Sequence, residues 1–534
     1  LGVKHFVLSP GSRSTPLTAA IARNKNITQH VFHDERSAAF FALGLGKAGQ
    51  LAAMITTSGT AVANAFPAIM EASTSYTPFL ILSADRPPEL RNTGANQTMD
   101  QQKLFGEHCR FFFDFPCPSA HFSANAIAST LSLAVSHATG ANPGPVHLNC
   151  MFREPLEPVE VNIPSPKPRM FHSNRSSLSL AVQENIRELL SKATSPLLVI
   201  GYIDNSTERK AAFELAESLN WPAFVDISSG IKLQKISNQI SMMELLLQEK
   251  ESLKRPDLIL HLGGAVTTKH FARWTSSLNV DYILVHPYAY RQDPTHSVTH
   301  HLRTSFSELF FIAEFQHSDL LPYFSSLNRK LNDVPIQNTL SEITVSRRIA
   351  SFLPNNSILF IGNSMPIRDM NNFSYPENNI ETFSNRGVSG IDGTCSTAAG
   401  VSIARNSVTH LLIGDLSTMH DIGSLFALKT IDPKLRIIVI NNSGGAIFSF
   451  LPISKESDIF EDYFATSHAF ALAPIITAMG IPCRTIHSLE ELESTLNEEC
   501  TGLSILEIHT NRDSNTAEHQ EIKALVHAIL KEKE

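Results

Sequence analysis

No CxxC pair and no zinc-ligand spacing occurs in this chain: its six cysteines, at positions 109, 117, 150, 395, 483 and 500, stand singly. That scatter argues against a disulfide framework and fits a reducing cytoplasm. No apolar stretch is long enough to span a bilayer; the longest, "AFALAPIITAMGIP", is short and broken by prolines. There is no excess of basic charge, the net being −8, so nothing points to nucleic acid as a partner. Low-complexity tracts and a Walker A sequence are absent too. The chain opens "LGVKHF", with neither a methionine nor a signal-peptide pattern, and enters a strand almost at once; an initial helix is expected to be missing. What remains is a globular composition, 43% hydrophobic and 18% charged, over 534 residues. That length is too great for one core and suggests three domains.

Short β-branched runs alternate with amphipathic segments along the whole chain, the pattern of βα units on parallel sheets. The expected fold class is therefore α/β, three domains, each an open and mostly parallel sheet flanked by helices. Two polar, proline-bearing stretches interrupt the alternation, "PSPKPRMFHSNRSS" at 164–177 and "RKLNDVPIQNTL" at 329–340, and read as linkers. The domains are then 1–164, 178–328 and 341–534. In such sheets ligands bind beyond the carboxyl ends of the strands. The junctions to inspect are "HFVLSPGSRS" and "AMITTSGTA", "PLLVIGY" and "DLILHLGGA", and "ILFIGNS", "LLIGDLS" and "IIVINN".

One glycine pattern does not qualify. "GLGKAG", residues 44–49, matches GxGxxG, but a helix runs into it and a strand follows, the reverse of a dinucleotide site. It reads as close helix packing ending in a turn. The strand ends in the third block are more telling. "LLIGDLS" is a buried strand that stops on Asp415; "RIIVINNSGGAIF" is another that stops on Asn441 and Asn442. Singly, Asp415 would be a helix cap and Asn442 a turn residue. Together, with a carbonyl of the following loop at Gly444, they offer hard oxygen ligands of the kind Mg²⁺ takes alongside a substrate phosphate. "STMHDIGSLFALKT" between them is long enough for a crossover helix, which would return the chain to the same edge. The start of that helix, Leu416 and Ser417, would add backbone donors for a diphosphate.

"GDLS" followed at this distance by "NN" resembles the GDG…NN motif of thiamine-diphosphate enzymes, with Leu416 departing from its third position. "SPGSRSTPL", "DERSAAFFALGLGKAG", "TSGTAVANAFPAIMEA", "SADRPPELRNTGANQ", "SNRGVSGIDGTCSTAAG" and "NNSGGAIFSFLP" narrow the likeness to the SEPHCHC synthase family of menaquinone biosynthesis. These stretches lie in the first and third blocks; the middle block matches loosely.

The resemblance implies decarboxylation of 2-oxoglutarate and addition of the succinyl carbanion equivalent to isochorismate, with thiamine diphosphate and Mg²⁺ or Mn²⁺ as cofactors. It implies that Glu35, which alone would pass for a first-turn helix acid, activates the cofactor from an apolar pocket that raises its pKa. Ile391 would support the cofactor's bent shape, and Ile447 and Phe448 would pack near it. Both substrates carry two carboxylates, so guanidinium forks are expected. Arg13, Arg86 and Gln97, with Ser12 beside them, would face isochorismate; Ser364, Arg368 and Arg386 would face the succinyl carboxylate. Lys269 in "VTTKHF" would be a further cationic contact, with His270 where relatives carry a second cation. The family also implies a homodimer or homotetramer with its sites between subunits, Glu35 from one and Asp415 from the next. The alternative is another thiamine-diphosphate-dependent 2-oxo acid decarboxylase or carboligase, which the multi-arginine pocket disfavours. No nucleic acid, no membrane and a cytoplasmic location complete the expectation.

Overall fold

The computed structural model describes residues 1–119, 121–159, 166–171, 177–289 and 291–532. Residues 164, 165 and 172–176 of the first expected linker thus lie outside the described residues. The α/β expectation holds: three parallel sheets are flanked by helices. The first contains β1 (His5–Ser9), β2 (Thr28–Val31), β3 (Ala52–Thr56), β4 (Phe79–Asp85), β5 (Phe111–Phe115) and β6 (Pro145–Met151), in the order β2-β1-β3-β4-β6-β5. The second contains β7 (Pro196–Ile200), β8 (Ala223–Val225), β9 (Leu258–Leu262), β10 (Asp281–Val285) and β11 (His300–Leu302), in the order β11-β10-β9-β7-β8. The third contains β12 (Ile358–Ile361), β13 (Glu381–Ser384), β14 (Thr409–Gly414), β15 (Leu435–Asn441), β16 (Cys483–Ile486) and β17 (Ser504–His509), in the order β13-β12-β14-β15-β17-β16. The first and third sheets therefore repeat one plan. In each, the strand order reverses beside the first strand, which opens a crevice at the carboxyl edge. Helices on both faces explain why β3, β7, β9 and β15 are buried along their whole length rather than on alternate residues.

The first and third sheets share one continuous core, in which Phe40, Phe41 and Ile81 meet Ala399, Leu411 and Val439. At its centre the helix Glu35–Lys47 crosses the helix Thr394–Arg405. The crossing needs glycine. A Cβ on Gly44 would lie 2.1 Å from the Thr397 carbonyl oxygen, and one on Gly400 would lie 2.2 Å from that of Phe41. Of the "GLGKAG" glycines, Gly44 and Gly46 are packing residues, the latter leaving a Cβ only 2.4 Å from the Pro78 carbonyl oxygen, while Gly49, at φ 88° in open space, makes the turn that follows the helix.

Two boundaries differ from the sequence reading. The helix Leu320–Asn332 runs four residues into the second expected linker, so the irregular stretch begins at Asp333. The crossover expected as one helix is two, Asp415–His420 and Ser424–Ile431. The break has a reason: Asp421 turns its side chain inward to accept from the Cys395 and Ser396 amides, at 2.8 and 3.3 Å, in the first turn of Thr394–Arg405. Burial pushes that carboxyl up to about 7, against the pull of the two amides. A value above the unfolded 3.8 means Asp421's stabilising share is complete below that pH and is lost as pH rises through about 7. An Asp421→Asn variant cannot ionise. Its stability relative to the unmodified chain is expected to rise by about 1.4 kcal/mol per pH unit between roughly pH 4 and 7, then level off. Urea unfolding at a series of pH values reads this directly.

Candidate active site

β14 and β15 are adjacent, with Gly414 opposite Ile440, so the residues that follow them emerge side by side at the carboxyl edge. Asp415 opens a short helix there and is 2% exposed. Its Oδ1 accepts from the Leu416 amide at 2.6 Å, and its Oδ2 from the Gly444 amide at 3.0 Å and His468 Nε2 at 3.2 Å. Burial raises its pKa, opposed by these donors. The loop after β15 reaches Asp415 through Ser443 at φ 60° and Gly444 at φ 144°. Gly444 is fixed sterically as well, since a Cβ would come within 2.6 Å of the Ala465 carbonyl oxygen.

Asn442 is buried, and its Nδ2 donates to Glu342 Oε1 at 2.9 Å. Its Oδ1 is enclosed and has no hydrogen-bond partner among the described residues. A buried amide oxygen left unpaired is costly, and here it lines the same cavity as the Asp415 carboxylate and Gly444. An acid, an amide and a loop backbone are the donor types a hard divalent cation takes. Among the described residues there is no group of three or more His, Cys, Asp and Glu side chains that could hold a metal. Glu342 itself is pushed up to about 7 by burial and by the charge of Asp369.

The cavity measures about 320 Å³. Beside Asp415, Asn442 and Gly444 it is lined by Leu416, Ser417, Ile391, Ile447 and Phe448. Ser364, Arg368 and Arg386 line it too. Every site residue expected from the third block is therefore brought into one space. The Leu416 amide, expected as a diphosphate donor, is engaged by Asp415. Ser364 sits at φ 73°, ψ −128°, a backbone region that glycine normally fills and that costs a serine about 1–3 kcal/mol. Arg368 Nη1 donates to its carbonyl at 2.6 Å. Arg386 Nη1 donates to Asn363 Oδ1 at 3.0 Å, and its pKa is lowered by burial and by the nearby Arg368. Two guanidinium groups lining one cavity favour an anion within it.

The loop bearing Arg386 is anchored by residues that sequence reasoning missed. Glu71 accepts from the Gly387 and Val388 amides at 2.9 and 2.8 Å. Lys47, fully enclosed, bonds Glu71 at 3.0 Å and the Ser384 carbonyl at 3.2 Å. His468 and Glu342 were missed likewise.

The other expected residues lie elsewhere in the chain. At the edge of the first sheet Arg86 donates to Ser58 Oγ and to the Gln97 carbonyl at 2.8 Å, and Gln97 Nε2 returns a bond to the Ser58 carbonyl at 2.9 Å. Arg13 is buried nearby, bonded to the Phe152 carbonyl and Glu154, and its charge helps lower Arg86 after burial. Ser12 beside it is exposed. Lys269 lines a separate cavity of about 350 Å³ beyond β9, with Thr267, Gln292 and Asp293. Burial, then the charges of Lys269 and Arg273, lower the pKa of His270, so it does not supply a second cation at neutral pH. Glu35 is half-buried outside both cavities and accepts from Asn64 Nδ2 at 3.4 Å.

Residues 1–104 match the family described as "Thiamine pyrophosphate enzyme, N-terminal TPP binding domain" and residues 164–361 that described as "Middle domain of thiamine pyrophosphate". The chain is 39% identical to the 2-succinyl-5-enolpyruvyl-6-hydroxy-3-cyclohexene-1-carboxylate synthase of Chlorobium phaeobacteroides, over 99% of this chain and 96% of that protein. It is 38% identical to the protein of the same name from Prosthecochloris aestuarii, over 97% and 93%. In fold it is similar to the crystal structure of benzoylformate decarboxylase from Polynucleobacter necessarius, with a TM-score of 0.72, 15% identity and coverage of 96% of each chain.

Proposed function

The chain belongs to the 2-succinyl-5-enolpyruvyl-6-hydroxy-3-cyclohexene-1-carboxylate (SEPHCHC) synthase family of thiamine-diphosphate enzymes, and from that premise we propose that it joins a succinyl unit from 2-oxoglutarate to isochorismate with loss of CO₂. It is a transferase of menaquinone biosynthesis. The observation that carries the reading is the convergence of Asp415, Asn442, Gly444, Arg368 and Arg386 on one cavity.

When bound, thiamine diphosphate supplies the electron sink that lets a 2-oxo acid lose CO₂. The chain's own residues do the rest. Asp415, the Asn442 amide oxygen and the Gly444 carbonyl would hold Mg²⁺ or Mn²⁺, with Leu416 and Ser417 bordering the diphosphate. Ile391, Ile447 and Phe448 give the cofactor apolar walls and exclude water. Glu35 would face the aminopyrimidine ring nitrogen as the carboxyl that activates the cofactor. Arg368 and Arg386, with Ser364, orient the distal carboxylate of 2-oxoglutarate. Arg13, Arg86 and Gln97, with Ser12, orient isochorismate, and Lys269 adds a cation from the middle unit.

The functional units are 1–164, 178–328 and 341–534, each built round one sheet. The enzyme works as a homodimer or homotetramer in the cytoplasm. Six free cysteines and the lack, among the described residues, of any helix long and apolar enough to cross a membrane support that setting. Incubating the protein with thiamine diphosphate, Mg²⁺, 2-oxoglutarate and isochorismate should consume both substrates together and give one product with the mass of their sum less CO₂. Loss of 2-oxoglutarate at an equal rate without isochorismate would defeat the reading.

A further inference from the structure

Glu342 lies 73 residues before Asp415 and 100 before Asn442, yet its side chain lines the same cavity. It is the first residue of the helix Glu342–Phe352, which Ser341 caps, so its backbone position is set by that helix. It is 3% exposed and lines the cavity. One oxygen, Oε1, takes two hydrogen bonds: from Asn442 Nδ2 at 2.9 Å and from Thr510 Oγ1 at 3.2 Å. A terminal amide rotates readily and its two ends are of similar size, so nothing in the shape of Asn442 decides which end faces the cavity. The bond to Glu342 decides it. With the NH₂ end engaged there, the oxygen is the end left without a partner among the described residues.

We infer that Glu342 is a positioning residue for the metal site: it holds the Asn442 amide so that its oxygen, and not its nitrogen, is presented to the cation. Thr510, at the end of β17, fixes Glu342 in turn, so the ligand on β15 is oriented from two other elements. Partners behind a metal ligand typically change affinity by about 10–100-fold when removed. The inference rests on the metal assignment made above, and its test separates the two.

Mn²⁺ binding with thiamine diphosphate, followed by electron paramagnetic resonance of the free ion, is measured on the unmodified protein, Glu342→Leu and Glu342→Gln. Leucine fills a similar volume without an acceptor and leaves the Asn442 and Thr510 donors unpaired, at about 1–3 kcal/mol each, so binding is read at a temperature where the melting curve shows the variant folded. Leucine is expected to weaken Mn²⁺ binding by about 10–100-fold, while glutamine, whose amide oxygen can still accept from Asn442, restores most of the affinity. In an Asn442→Ala background the leucine variant should cause no further loss, because there is no amide left to orient. Unchanged affinity in Glu342→Leu, a glutamine variant as weak as leucine, or an undiminished loss in the Asn442→Ala background overturns the inference alone. Failure of the unmodified protein to bind Mn²⁺ overturns the metal assignment and the inference with it.

Discussion

Asp415→Ala is expected to bring turnover below detection at cofactor concentrations that saturate the unmodified enzyme. The substitution removes the one charged ligand proposed for the cation and leaves three donors, the amides of Leu416 and Gly444 and the ring of His468, facing an empty position. Leaving a charge without its partner in a buried site costs about 3–5 kcal/mol, on the order of 10²–10⁴-fold in affinity for the metal–diphosphate unit. The fold should survive. Burial raises the Asp415 pKa, so the ionised carboxylate is an unfavourable guest in the cofactor-free protein, and its loss offsets part of the cost of the orphaned donors. The decisive measurement is therefore thermal. The cofactor-free variant should melt near the unmodified protein, while the rise in melting temperature that Mg²⁺ and thiamine diphosphate confer by binding the native state should vanish. A variant that keeps that rise would remove Asp415 from the metal site. Asn442→Ala, which loses a neutral ligand, should show a smaller version of the same effect.

Why Asp415 and Asn442 could be read from the sequence while Glu342 and Glu71 could not is a matter of where their signals reside. A polar residue that ends an unbroken apolar run is visible locally, because a strand buried on both faces has no other reason to stop on a carboxylate. Glu342 in "LSEITVSRR" opens an amphipathic helix just after its cap, and Glu71 in "AIMEAST" sits inside one; at both places an acid is commonly solvent-facing. Their burial arises only when the third unit closes on itself and on the first, which no periodicity encodes. The same holds for Lys47, whose ammonium lies fully enclosed between units. The split crossover helix was hidden for a related reason. "DIG" reads as a tolerable helical interruption until the helix Thr394–Arg405 is present to receive the Asp421 side chain. The repeated strand order of the first and third sheets was out of reach too, since alternating βα units announce parallel strands but not which neighbours they choose.

Glu35→Gln should lower kcat by about 10²–10⁴-fold, the usual worth of a positioned proton-holding group, while leaving Mn²⁺ and thiamine diphosphate binding intact. Within one chain Glu35 is badly placed for such a role. Its neighbour Arg36 bonds the carbonyl of His420, at the end of the Asp415–His420 helix remote from Asp415. At 1.5 Å per residue the five steps from Asp415 to His420 span about 7.5 Å, and Glu35 does not line the cavity served by its own Asp415. A second copy related by a two-fold axis can bring its own Glu35 to the open side, and the symmetry then builds two such composite sites. Mixing inactive chains decides the matter. When Glu35→Gln and Asp415→Ala chains are co-expressed, every mixed dimer holds one site with both residues intact and one with neither. Random pairing makes about half the dimers mixed, so about a quarter of the unmodified activity should return. If Glu35 and Asp415 served the same site from one chain, no pairing of the two variants could rebuild a complete site, and the mixture would stay as inactive as its components.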